Sequence, residues 1–216
     1  MADYKIARKK LKKNIVKLIS IFYILSLLIG CGGNAALRKS GLATIKSVSI
    51  CENVTKPGSL IYSGRKQAFL AVCGCLGGLA GGLAAEKTAS KIKTVMEQEK
   101  IDVGEIVREQ FVNELKNSNL FASIVSENSD AEFKLSIRTF GFIVPQGFSS
   151  KLKPILGVEG KLVKSDGSVL WEKYEFISNL SKKTPSYSLK DYFDNPELIR
   201  EVFTIASQSV VTDLIK

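Results

Sequence analysis

No histidine occurs in the 216 residues. Its absence removes the usual general base of enzymes, the commonest metal ligand and the side chain that changes charge near neutral pH. No P-loop, no G-x-G-x-x-G fingerprint and no G-x-S-x-G elbow is present either. The pattern S-x-x-K occurs at Ser63–Lys66, Ser90–Lys93 and Ser150–Lys153, but three hits in a chain rich in serine and lysine match chance. Carboxylates are scattered, and no pair stands out from solvated helix faces. Cysteine is scarce too: Cys31, Cys51, Cys73 and Cys75. The C-x-C at Cys73 and Cys75 offers two ligands where a structural zinc site needs four. These absences point to a non-catalytic protein with neither metal nor redox cofactor.

What is present begins with a leader. Lys5, Arg8, Lys9, Lys10, Lys12, Lys13 and Lys17 crowd the first seventeen residues against one acid, Asp3. An apolar stretch, Leu18 to Ile29, follows. At roughly 1.5 Å per residue it is too short for a hydrocarbon core of about 30 Å. A basic region followed by a short apolar one is the plan of a secretory signal peptide. It ends in Leu28-Ile29-Gly30-Cys31, which resembles the lipobox of bacterial lipoproteins. The resemblance implies diacylglycerol on the Cys31 thiol, cleavage between Gly30 and Cys31, and an N-acyl chain on the new terminus. It implies a domain held at a membrane by lipid, since each buried CH₂ contributes roughly 0.8 kcal/mol. The position after Cys31 is Gly32 rather than the Asp that retains such proteins at the inner membrane. The outer membrane of a bacterial envelope is therefore the expected location.

Removing residues 1–30 changes the charge. The whole chain has 31 Lys+Arg against 21 Asp+Glu; without the leader's seven bases and one acid, 24 stand against 20, a net of +4. The basicity is a targeting feature and leaves no footprint for nucleic acid. Residues 31–42, with the small polar stretch GNAALRKSG, suit a tether. Residues 43–216 are long enough for one domain with a sizeable core.

A second unusual stretch interrupts that domain. Ala68 to Ala85, AFLAVCGCLGGLAGGLAA, is eighteen consecutive apolar or glycine residues. Gly74, Gly78 and Gly82 are four apart, as are Gly77 and Gly81. On a helix each set forms a smooth stripe that admits another helix closely. In water such a helix is poor, because each glycine costs about 1 kcal/mol relative to alanine. Three readings stand: a membrane-inserting or self-associating helix, an Ala/Gly-rich helix packed on the domain's own sheet, and an apolar loop. The stretch resembles the glycine zippers of envelope lipoproteins, including the complement-resistance and surface-exclusion lipoproteins of conjugative plasmids. Cys73 and Cys75 fall on different sides of such a helix and are expected as buried thiols. A bond from Cys51 to one of them is the alternative in an oxidising periplasm.

The remaining sequence predicts strands over Ala43–Glu52 and Phe121–Val125, and a helix capped by Asp102 that runs to Asn117. Val103, Ile106, Val107, Phe111 and Leu115 supply its apolar face. Glu132–Thr139 alternates, with Phe133, Leu135 and Ile137 opposite Lys134, Ser136 and Arg138. That pattern predicts a half-buried antiparallel strand. Val158–Lys164 and Val169–Ile177 flank the hairpin turn Ser165-Asp166-Gly167-Ser168, with Trp171 expected in the core. Pro196 opens a last helix to Ile215, with Leu198, Val202, Ile205, Ser209 and Val210 on its buried face.

The expected fold is therefore α+β: a mixed or antiparallel sheet with two or three helices on one face, plus the inserted Gly/Ala-rich helix. From Val103 to Lys216 the order of elements resembles the small domains of lipopolysaccharide-assembly and transport-auxiliary lipoproteins. It also resembles periplasmic domains related to the N-terminal part of the Tol-system translocation protein. The resemblance implies an accessory or scaffold component that binds envelope partners and does no chemistry. The alternative is a pore-forming or surface-exposed lipoprotein that forms homo-oligomers through the glycine stripe. A lipid carrier is the third reading.

Overall fold

The computed structural model describes residues 37, 42, 45–64, 78–126, 128–145 and 149–216, with side chains of its first helix from residue 84 onward. All lie in one compact unit, Ala35–Lys216. The leader, Gly30, Cys31, Gly74 and Gly77 fall outside the described residues. In chain order the elements are β1 (Ser47–Ile50), β2 (Ile61–Ser63), α1 (Gly78–Gln98), α2 (Val103–Ser118), β3 (Ser123–Ile124), β4 (Ala131–Ile143), β5 (Lys151–Lys164), β6 (Val169–Ile177), β7 (Tyr187–Ser188), α3 (Leu189–Asp194) and α4 (Glu197–Ile215). The fold is α+β, as expected.

The sheet runs β3-β1-β4-β5-β6, with β2 beside the far end of β4 and β7 beside the start of β5. It is mixed. β4 is antiparallel to β5, as its alternation suggests, but parallel to β1 and β2. The segment from β1 to β2 follows β4 along its length, bridged midway at Thr55 and Ser136. Asp130 fixes its start: its carboxylate accepts from the amides of Lys46 and Ser47 at 2.8 and 2.9 Å. The Ser47 and Lys46 amides hold that carboxyl below the usual range.

β4 is longer than its alternation, for a physical reason. Ala131, Phe133, Leu135 and Ile137 are buried, and then Phe140 and Phe142 are. The phase changes because Ile137 pairs with Val158 and Thr139 with Gly157, leaving Arg138 as an extra residue. That bulge keeps both halves of the strand aimed at one core. Likewise β5 begins at Lys151, seven residues before the predicted strand. Pro154 hides this in the sequence. It is tolerated because β6 pairs only from Leu156 onward, so no β5–β6 bond needs its missing N–H.

The helices cover one face. Asp102 caps α2, accepting from the amides of Gly104 and Glu105. The predicted apolar set of α2 is buried in full. Phe133 meets Phe111 edge-on at 5.0 Å and Trp171 at 5.9 Å. Further along, Phe142 lies against Phe203 of α4 at 5.3 Å and Tyr192 of α3 at 4.8 Å. On α4 the buried face is Ile199, Val202, Phe203, Ala206, Val210, Val211 and Leu214. Leu198, Ile205 and Ser209 are only half-buried, a correction to the predicted face. The reason is that α4 packs on both the sheet and α2, so its apolar stripe is wide and centred one residue on. β1 is also shorter than predicted, four residues rather than ten. The opposite sheet face carries charge, with Arg138 to Glu159 at 2.5 Å and Lys161 to Glu172 at 2.9 Å.

Candidate functional site

The candidate site lies along α1. This helix joins the end of the glycine-rich stretch, from Gly78, to a polar amphipathic half ending at Gln98. Ile92 and Met96 turn into the core; Ala85 and Ala89 are half-buried. The end is a tight elbow. Lys100 adopts φ +52°, the Lys100 amide donates to Glu97 O at 3.3 Å, and the Ile101 amide donates to Met96 O at 2.8 Å. These are the two bonds of a Schellman motif, with lysine where glycine is usual. Two residues later Asp102 starts α2.

Two clefts flank this arrangement. One, of about 630 Å³, lies at the elbow. Its floor is Met96, Ile101, Val103 and Phe140; Lys56, Lys93, Lys100, Glu97, Asp102 and Glu105 stand at its rim. The second, of about 580 Å³, runs between α1 and β2, lined by Leu60, Ile61, Tyr62, Ala85, Ala89 and Ser90. Both volumes are in the range of ligand sites. They share Gly58 and Lys93. The Lys93 ammonium donates to Gly58 O at 3.2 Å, so this side chain forms a bar between the two halves of one groove.

The rim is electrostatically paired. Lys56 lies 2.5 Å from Asp102, and Lys93 3.8 Å from Glu97. Burial pushes the Asp102 carboxyl up, but Lys56 and the Gly104 and Glu105 amides outweigh it and hold it below the usual range. Burial raises the Tyr62 phenol, which stays protonated. The arrangement suits binding to a surface or molecule that is apolar on one side and carries both charge signs.

No protein-family model matches the chain, and no curated protein sequence does. Solved structures match it in part. Protein XCC0632 of Xanthomonas campestris is 18% identical over 52% of this chain, with a TM-score of 0.38. The match spans 58% of that protein's length. A PelC dodecamer from Paraburkholderia phytofirmans, solved as a point variant, is 13% identical, covering 85% of this chain and 91% of that one, with a TM-score of 0.35. Lipoprotein GNA1162 from Neisseria meningitidis is 17% identical, covering 76% and 97%, with a TM-score of 0.25.

The predicted site residues divide unevenly. Gly78, Gly81 and Gly82 lie in the first turns of α1, and Ala85 and Ala89 continue the row that Gly81 begins. Among the described residues no helix is long and apolar enough to cross a membrane. Cys51 is a free, half-buried thiol just after β1. Of the S-x-x-K lysines, Lys66 lies outside the described residues, Lys93 donates to Gly58 O, and Lys153 donates to Ser181 O at 2.5 Å. Sequence reasoning missed the groove itself. The spacing of Ala85, Ala89, Ile92 and Met96 is helical and is the available signal for one wall. The other wall, Lys56 to Tyr62, is short and irregular and gives none.

Proposed function

We propose that the chain is a non-catalytic, lipid-anchored accessory or scaffold protein of a bacterial envelope complex, whose domain engages its partner along the α1 groove. The observation that carries the reading is Leu28-Ile29-Gly30-Cys31 behind a basic and then apolar leader. Covalent diacylglycerol and an N-acyl chain on Cys31 would be the anchor, and the outer membrane the favoured location. The groove supports a binding role, because its apolar floor and paired rim form a concave surface. The test is intact mass and membrane fractionation of the full chain and of Cys31→Ala. The expected result is loss of the first thirty residues and gain of acyl mass in the wild type only. An uncleaved wild-type chain without acyl mass overturns the reading.

Self-association through the glycine stripe is the second reading, favoured by the helical form of Gly78, Gly81 and Gly82. Detergent-stable oligomers lost in Gly78→Leu would support it. Oligomers unchanged by that substitution would exclude it.

A further inference from the structure

Among the described residues five large apolar side chains are exposed: Ile61, Val169, Tyr174, Phe176 and Leu180. Three belong to β6, and a fourth follows it by three residues. β6 ends the sheet, and no strand pairs with its outer side among the described residues. The opposite end is closed differently, by the two-residue β3. Short edge strands discourage pairing, whereas a nine-residue edge carrying apolar side chains invites it.

The strand is not uniform. Its first part is bulged, since Leu162 pairs with Trp171 but Val163 with Val169, leaving Leu170 extra. Trp171–Ile177 is regular, with each residue opposite its partner in β5. Trp171, Lys173 and Ile177 point to the helix side, while Glu172, Tyr174 and Phe176 face the other way. In an antiparallel pairing of this segment with itself, one register matches charge. Centred on Tyr174, it sets Lys173, which meets Glu175 of its own strand at 3.2 Å, opposite Glu175 of the second copy as well, twice by symmetry. Trp171 then lies opposite Ile177, and Tyr174 opposite itself. Centring on Lys173 or Glu175 instead puts like charges directly opposite, which destabilises a strand pair. A two-fold contact of this kind closes on itself and produces dimers rather than chains.

We propose that β6 is the edge at which two copies of this protein join, antiparallel about a two-fold axis at Tyr174. The partner is a second copy of the chain because the edge is complementary to itself. This goes beyond the anchoring and groove readings and stands or falls separately from them.

The test is oxidative crosslinking of the full chain in membranes, read on non-reducing gels against the wild type, whose native cysteines set the background. Tyr174→Cys places two thiols opposite each other across the axis. Val169→Cys is the control. Val169 is the more exposed, at 53% against 41% for Tyr174. In the proposed pairing its two copies lie ten residues apart, about 33 Å at the rise of a strand. The expected result is a reducible dimer at position 174 at least tenfold above that at 169. Random collision gives the reverse order, and equal or reversed yields overturn the proposal, as does no dimer above wild type at 174. In a Tyr174→Cys background, Glu175→Lys sets lysine opposite Lys173 of the second copy and should cut the dimer several-fold, whereas Glu175→Gln, which leaves Lys173 on Asp213 O, should cut it less. A Glu175→Lys yield equal to that of Glu175→Gln also overturns the proposal.

Discussion

Replacing Gly141 by alanine should detach β2 without unfolding the rest. Gly141 has φ +153°, and a Cβ there would lie 1.9 Å from Ile61 O and 2.7 Å from Ile61 C. The obstacle is backbone, so no rotamer change relieves it. Gly141 pairs with Ile61, the first of the three paired positions of β2 on β4. The chain escapes the clash by releasing β2, and that sets an upper bound on the loss. The contact comprises three paired residues plus the Val144 amide donating to Ser63 O at 3.0 Å. Three or four backbone bonds at a net 0.5–1.5 kcal/mol each give roughly 1.5–6 kcal/mol. For a domain of this size each kcal/mol moves Tm by about 2–4 °C, so Gly141→Ala should melt about 3–24 °C lower. Gly58→Ala is the control, since nothing lies within 4 Å of its Cβ position. It should stay within about 0.5 kcal/mol of wild type. Urea unfolding measures both, and hydrogen exchange locates the effect in 61–63. A Gly141→Ala protein as stable as wild type, with β2 still protected, would refute the steric reasoning.

Lys173 is nearly buried, with its ammonium 2.6 Å from Asp213 O in the last turn of α4 and 3.2 Å from Glu175. α4 has no basic residue in its own last turn, so β6 supplies the charge its C-terminus favours. Lys173→Met should cost roughly 1.5–3 kcal/mol in urea unfolding. The Ser207 hydroxyl is fully buried without a hydrogen-bond partner among the described residues, so Ser207→Ala should raise stability by about 1 kcal/mol in the same assay. Asp130 and Asp191 are held below the usual carboxylate range by amides, Asp166 by the Ser168 hydroxyl and amide, and Asp102 by its partners against its burial. A depressed folded pKa means the unfolded chain binds more protons in this window. Stability is therefore full above about pH 5 and falls as pH drops through the native values. Urea midpoints should decline below about pH 4, and Asp130→Asn should flatten that decline; a pH-independent midpoint would contradict the assigned contacts.

Much of the fold was legible where local chemistry and tertiary packing agree. Asp102 and the spacing of Val103, Ile106, Val107, Phe111 and Leu115 predicted α2 to within a residue or two. Asp166-Gly167 predicted its hairpin because Gly167 sits at φ +84°. Legibility failed where a single residue changed the phase or broke a rule. The extra Arg138 reversed the alternation of β4, and Pro154 disguised half of β5. Lys100 stands where a glycine would have announced the end of α1. One available signal was overlooked: Ser188 and Asp191 form a capping box at α3. The groove was not legible, because one of its walls has no periodic pattern and owes its position to β4.

The elbow at Lys100 makes α1 a lever. Its pivot is tied by two backbone bonds and by the cap of the next helix, while its far end is the glycine-rich stretch. At about 1.5 Å per residue, Ala85 stands roughly 22 Å from the pivot and Met96 only about 6 Å. Ile92, buried about 12 Å from the elbow, holds the arm to the core, so a bend of the arm falls beyond it, beside β2. A load applied at the glycine end would open or close the distal half of the groove while scarcely altering the half above Phe140.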